Sequence, residues 1–199
     1  RLLSRGLGDV YKRQFLYKDK TNAKGYLRYS YDGIFPTTGE YCYDSPDPTR
    51  WEKLSKDLDI IVKPWNFNNG KNILICCQRD GGWSMDGEGV VNWLMKTISE
   101  LRKYTDRPVV IRFHPGDKRV AGHIKQIAGY RIPKVSWSTK MEIREDFAEA
   151  HAVINFNSSP AVASVIEGIP TYQLDASRSQ AKGVVPVSYT HLRAHETEA

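Results

Sequence analysis

Short apolar runs recur along this chain without the every-other-residue polar interruption of a half-wet strand. Asn72 to Cys77 (NILICC), Val109 to Phe113 (VVIRF) and Ala152 to Asn157 (AVINFN) are the clearest. Strands that read this way are covered on both faces, the condition of a parallel sheet inside helical layers. Between the first two runs, Val90, Val91, Leu94, Ile98 and Leu101 fall at helical spacing. Strand and helix in alternation predict an α/β fold, with a parallel Rossmann-like sheet flanked by helices.

The remaining elements follow from the same signals. The turn Asp106-Arg107-Pro108 precedes the second strand, a helix is expected over Val120 to Ala128, and Lys134 to Trp137 reads as an edge strand. Ile143, Phe147 and Ala150 mark a helix leading into the strand Ala152 to Asn157. A short helix over Ala161 to Glu167 then ends at Gly168, suited to a left-handed cap, before a last strand, Thr171 to Leu174. Further upstream, Trp51 to Leu58 is expected to be helical and Ile60-Ile61-Val62 strand-like.

Both ends read differently from the middle. Ser4 to Gln14 (SRGLGDVYKRQ) and Val187 to Thr197 (VSYTHLRAHET) resemble translated sequencing adapters. Residues 1–14 and 186–199 are therefore expected not to be native, and the gene to be truncated on both sides, which removes His191 and His195 as site candidates. The formal net charge of the whole chain is +6. Part of this excess sits at the start, where Arg1, Arg5, Lys12 and Arg13 face only Asp9. The interior is moderately basic, which suits a small anionic ligand and is too weak, without a clustered patch, to argue for nucleic acid. Residues 15–70, rich in aromatics and turns, read as the tail of a preceding domain and a linker. Residues 71–185 read as the Rossmann-like ligand-binding domain, beyond the turn-forming cluster Asn66 to Lys71.

Cys42, Cys76 and Cys77 have no metal or redox spacing, and the adjacent pair reads as packing in a reducing compartment. No apolar run approaches the length of a membrane span. A cytoplasmic setting, with no metal and no cofactor, is the expectation.

Chemistry concentrates where strands end. In open α/β sheets ligands bind beyond the carboxyl ends of the strands. His114-Pro115-Gly116-Asp117 stands there after the second strand, and Ser158-Ser159-Pro160 after the third long run. Pro115 holds His114 out of helical geometry and Gly116 lets the chain turn, presenting an imidazole able to donate to a phosphate oxygen or stabilise a leaving group. Ser159 is placed as an N-cap with Pro160 at the first helical position. Free N–H groups there and both hydroxyls suit an anion, although plain capping would use one hydroxyl and no ligand. Glu167 follows Pro160 by two turns, so one helix face carries both, and its carboxylate is a candidate for a ribose hydroxyl or base edge. The loop Gln78 to Gly89 is a candidate substrate loop. Arg79 offers a rigid fork, Gly81 and Gly82 allow close approach, and Trp83 offers a stacking face. Neither a GxGxxG fingerprint nor a P-loop is present.

VVIRFHPGD followed by VINFNSSPAVASVIEGIP resembles the C-terminal, donor-binding half of GT-B-fold glycosyltransferases. The similarity is greatest to bacterial and phage enzymes of capsular and surface polysaccharide, including sialyl- and Kdo-transferase-like groups. It covers about Ile73 to Asp175. The resemblance implies that His114, Ser158 and Ser159 bind the phosphate of a nucleotide-sugar donor, that His114 is the catalytic residue of this half, and that Glu167 meets ribose or base. It also implies a CMP-, CDP- or UDP-linked sugar and a glycan acceptor as partners, with the catalytic base in an N-terminal half. The Tyr-rich segment Tyr26 to Tyr43 would border the acceptor cleft or pack at a domain junction. Two other readings share the scaffold: a sugar-nucleotide epimerase, and a non-catalytic nucleotide- or glycan-binding module whose motifs are only strand ends and caps.

Overall fold

The computed structural model describes residues 47–66, 70–81, 85 and 87–174. They form a five-stranded, all-parallel sheet with helices on both faces. In chain order the elements are α1 (Thr49–Asp57), β1 (Asn72–Cys76), α2 (Val90–Leu101), β2 (Val109–Arg112) and α3 (Val120–Gly129). There follow β3 (Val135–Trp137), α4 (Ile143–Phe147), β4 (Ala150–Asn155), α5 (Pro160–Ile166) and β5 (Thr171–Gln173). The spatial order is β3-β2-β1-β4-β5. The chain winds outwards from β1 to β3, then crosses back to β4 and β5, so the order reverses between β1 and β4.

Every residue from Ile73 to Cys77 and from Ala150 to Asn155 is buried, which is why those runs carry no alternation. Side chains of successive residues go to opposite layers. Ile73, Ile75, Ile111, Ala152 and Ile154 pack with Val90, Trp93, Leu94, Ile98 and Leu101 of α2 and Ile127 of α3. Leu74, Cys76 and Val153 pack on the other face with Phe147 of α4, Ile169, and the half-buried Ala163 of α5. The adjacent thiols thus serve opposite layers. Burial pushes the Cys76 thiol up to about 12 and raises Cys77 as well, so both are inert packing groups.

Most element ends fall within a residue or two of expectation, and three differences have a structural reason. Ala150 belongs to β4 rather than the preceding helix, because Ala150 pairs with Asn72 at an irregular register beside Gly70. A Cβ on Gly70, at φ +83°, would lie 2.4 Å from the Ala150 carbonyl carbon. The helix after Ser159 begins at Pro160 and ends at Ile166. Ile60 to Val62 is not a strand. The segment runs as a strap, with Lys63 N–H bonded to the Ile166 carbonyl and Asn66 N–H to that of Gly168, while Ile61 and Val62 stay exposed. The strap also explains Gly168. At φ +74° it caps α5, and a Cβ there would stand 2.2 Å from the Pro64 carbonyl oxygen. In the loop after β1, Met85 is 1% exposed and joins the core. Among the described residues no helix is long and apolar enough to cross a membrane.

Candidate functional site

The strand order reverses between β1 and β4, and the carboxyl edge of the sheet at such a reversal is the position where doubly wound proteins take ligands. Loops after β1, β4 and the adjacent β2 meet there, and they carry Arg79, Ser158-Ser159 and His114 respectively. The side chains of Gln78 and Asn157 hydrogen-bond directly, joining the β1 and β4 loops.

His114 is exposed, and its ring orientation is set by its own turn. Nδ1 accepts the Gly116 N–H at 2.9 Å, and the Asp117 N–H bonds back to the His114 carbonyl at 2.9 Å. A Cβ on Gly116 would lie 3.2 Å from Cε1 and Nδ1, so the missing side chain is what lets the ring sit against the turn. With Nδ1 accepting, the neutral imidazole carries its proton on Nε2. Partial burial, and then the neighbouring Arg79 cation, hold the ring below the ordinary histidine range against the opposing pull of Asp117. His114 is thus an uncharged donor at neutral pH.

A buried ionic cluster, which the sequence reading did not single out, holds these loops together. The Asp117 side chain is 3% exposed. It accepts the Asp80 N–H at 3.1 Å, the Arg119 N–H at 2.8 Å and His123 Nε2–H at 3.3 Å. Burial by itself would raise its carboxyl; the N–H groups of Arg119 and Asp80 and the His123 ring outweigh that and keep it below the usual carboxylate range. Asp80 in turn accepts the first N–H of α2 (Val90) at 3.0 Å and pairs with Arg119 at 2.9 Å. His123, on the buried side of α3, stacks on Phe113 with ring centroids 6.1 Å apart. One hint stood in the sequence, since a histidine four residues before Ile127 on an apolar helix face needs a polar partner. That the partners are Asp117 and Asp80 only the fold decides.

The serine motif departs from the capping expectation. Ser159 is the N-cap residue of α5, but it is exposed, has helical backbone angles, and its side chain makes no capping hydrogen bond. Ser158 N–H bonds to Asn155 Oδ1 at 3.2 Å, while the enclosed Ser158 Oγ has no partner among the described residues. Neither hydroxyl is consumed by the helix start.

Glu167 is not brought to these groups. It lies at the far end of α5, about 10 Å of helix from Pro160, where it binds Lys63 of the strap at 2.5 Å and lies 3.8 Å from Arg144. Arg112 is also structural: its guanidinium pairs with Asp146 at 2.6 Å and caps the Lys140 and Met141 carbonyls. Of the candidate loop, Arg79 lies near enough to His114 to act on its ring, and Gly81 turns the chain at φ +69°. Gly82 and Trp83 lie outside the described residues, as does the Tyr-rich segment Tyr26 to Tyr43. Among the described residues no group of three or more His, Cys, Asp or Glu is placed to hold a metal ion. The polar groups at this edge are a neutral ring, a guanidinium and serine hydroxyls. No protein-family model matches the chain, and no curated protein matches it either.

Proposed function

We propose that this chain is the donor-binding half of a GT-B-like glycosyltransferase, taking a nucleotide-linked sugar for transfer to a glycan acceptor. The observation that carries the reading is that the loops bearing His114, Arg79 and Ser159, whose exposed hydroxyl makes no capping bond, lie at the strand-order reversal. Each of these side chains is a hydrogen-bond donor, which is what a phosphate requires. In catalysis, donors aimed at the departing nucleotide phosphate would stabilise the charge that develops as the glycosidic bond breaks. His114, neutral and held by Gly116, would supply one of them without first losing or gaining a proton. Glu167, paired with Lys63 at the far end of α5, is given no contact in this reading.

The test is a calorimetric titration of the chain with CMP, CDP, UDP and GDP. One base class should bind, and His114→Ala should weaken it by roughly tenfold, the loss of one hydrogen bond to a charged group. Absence of binding to all four by a folded chain, or an unchanged affinity in the variant, would overturn the reading.

A further inference from the structure

Exposed apolar side chains concentrate on α1 and the strap that follows it. Six of the ten large hydrophobic residues exposed among the described ones fall between Trp51 and Trp65. Trp51, Leu54 and Leu58, 46%, 40% and 65% exposed, follow the spacing i, i+3, i+7 and form one stripe along α1. Yet α1 buries none of its residues. A nine-residue helix gains little from propensity alone, because its nucleus is costly and helices this short are held by packing of an apolar face. The stripe is therefore suited to being covered.

The charges beside the stripe point to the occupant. Arg50 and Asp57 are exposed on the same flank of the stripe, one at each end of the helix. They stand two turns, about 10 Å of rise, apart, too far to pair with each other. Turned end for end, that flank presents the opposite sign at each position, so α1 is complementary to itself. We propose that α1 is the contact of a symmetric dimer, with a two-fold axis at the level of Lys53 and Leu54 setting two copies of the helix antiparallel. In that alignment Arg50 of each copy faces Asp57 of the other. The two Leu54 side chains meet at the axis, and each Trp51 fits between Leu54 and Leu58 of the other copy. A phospholipid surface fits less well. Helices that lie on anionic membranes have a basic polar face, whereas α1 sets Arg50, Lys53 and Lys56 against Glu52 and Asp57. The helix is about 13 Å long, so the contact is small and the dimer micromolar and reversible.

The experiment is analytical sedimentation of the full chain from low to high micromolar concentration, beside Leu54→Ser, Arg50→Glu and the double variant Arg50→Glu/Asp57→Lys. Unchanged circular dichroism checks that each variant folds. The parent should pass from monomer to dimer over this range. Leu54→Ser should weaken the dimer roughly tenfold or more, because the side chain is lost twice at the axis. Arg50→Glu should weaken it roughly fivefold by setting like charges against each other at both ends. An acid in the first turn suits the helix dipole, so that loss does not come from a weaker α1. The double variant should return to the parent's dissociation constant. A monomer at every concentration overturns the dimer, as does a dimer indifferent to Leu54→Ser. A double variant no tighter than Arg50→Glu overturns the antiparallel pairing. In a chain that stays monomeric, tryptophan emission shifted to the blue by phosphatidylglycerol vesicles, and not shifted in Trp51→Ser, would assign the stripe to a lipid surface instead.

Discussion

Asp117 shows how a residue visible in a motif acquires its role from groups far away in the chain. In HPGD it reads as a turn residue; folded, it is a nearly buried carboxylate accepting three N–H groups, from Asp80, Arg119 and His123. Its carboxyl is held below the ordinary 3.8, so it stabilises the fold at all pH values above that, and the contribution is lost as pH falls through the lowered folded value. Asp117→Asn keeps one acceptor and removes the charge. The variant should unfold about 1–3 kcal/mol more easily at pH 7, by urea titration. The gap to the parent should shrink as pH is taken below 3.8. A gap of constant size would assign the effect to shape rather than charge. The turn that orients the His114 ring was legible from its neighbours, because Pro115 and Gly116 act locally. The pairing of Asp80 with Arg119 was not, because the fold has first to bring the β1 and β2 loops together.

At the scale of elements, the pairing of β4 with β5 carries an unusual load. Asn155 and Gln173 are register partners at the carboxyl ends of the two strands, 0% and 1% exposed. Gln173 Nε2 donates to Asn155 Oδ1 at 2.7 Å, and the same oxygen accepts Ser158 N–H. The amide pair thus sets where β4 stops and how the serine loop leaves it. Asn155→Ala strands the Gln173 amide and should cost about 1–3 kcal/mol. In a double-mutant cycle with Gln173→Ala, the combined loss should fall short of the sum of the two. Strict additivity would mean that the two amides act separately. The polar residue inside the AVINFN run was legible as an exception to its apolar setting. Its partner was not, since strand order had first to bring residues 155 and 173 side by side.

For the molecule as a whole, the doubly wound order concentrates donors at one edge of the sheet while cores form on both faces. The nucleotide proposed above would join elements separated by 80 positions in the chain, from Arg79 to Ser159. It should therefore stabilise the domain as one unit. At a UDP concentration 100 times its dissociation constant the gain in unfolding free energy should be about 2.7 kcal/mol, read as a rise in melting temperature. At the same nucleotide concentration the rise should be much smaller in His114→Ala. An equal rise in both proteins would place the nucleotide elsewhere on the surface.

Local chemistry by itself determined the class of this fold. Continuous apolar runs have to be covered on both faces, helical spacing supplies the covers, and Gly168 and Pro160 punctuate α5 through their own backbone preferences. The same local logic misjudged Ile60 to Val62, whose apolar character serves an exposed strap rather than a strand. It gave no sign of the ion pair that Glu167 forms with Lys63, 104 residues away. Those outcomes belong to tertiary structure. Which carboxylate meets which cation is set by strand order and crossover, and neither is encoded in the spacing of residues along any single element.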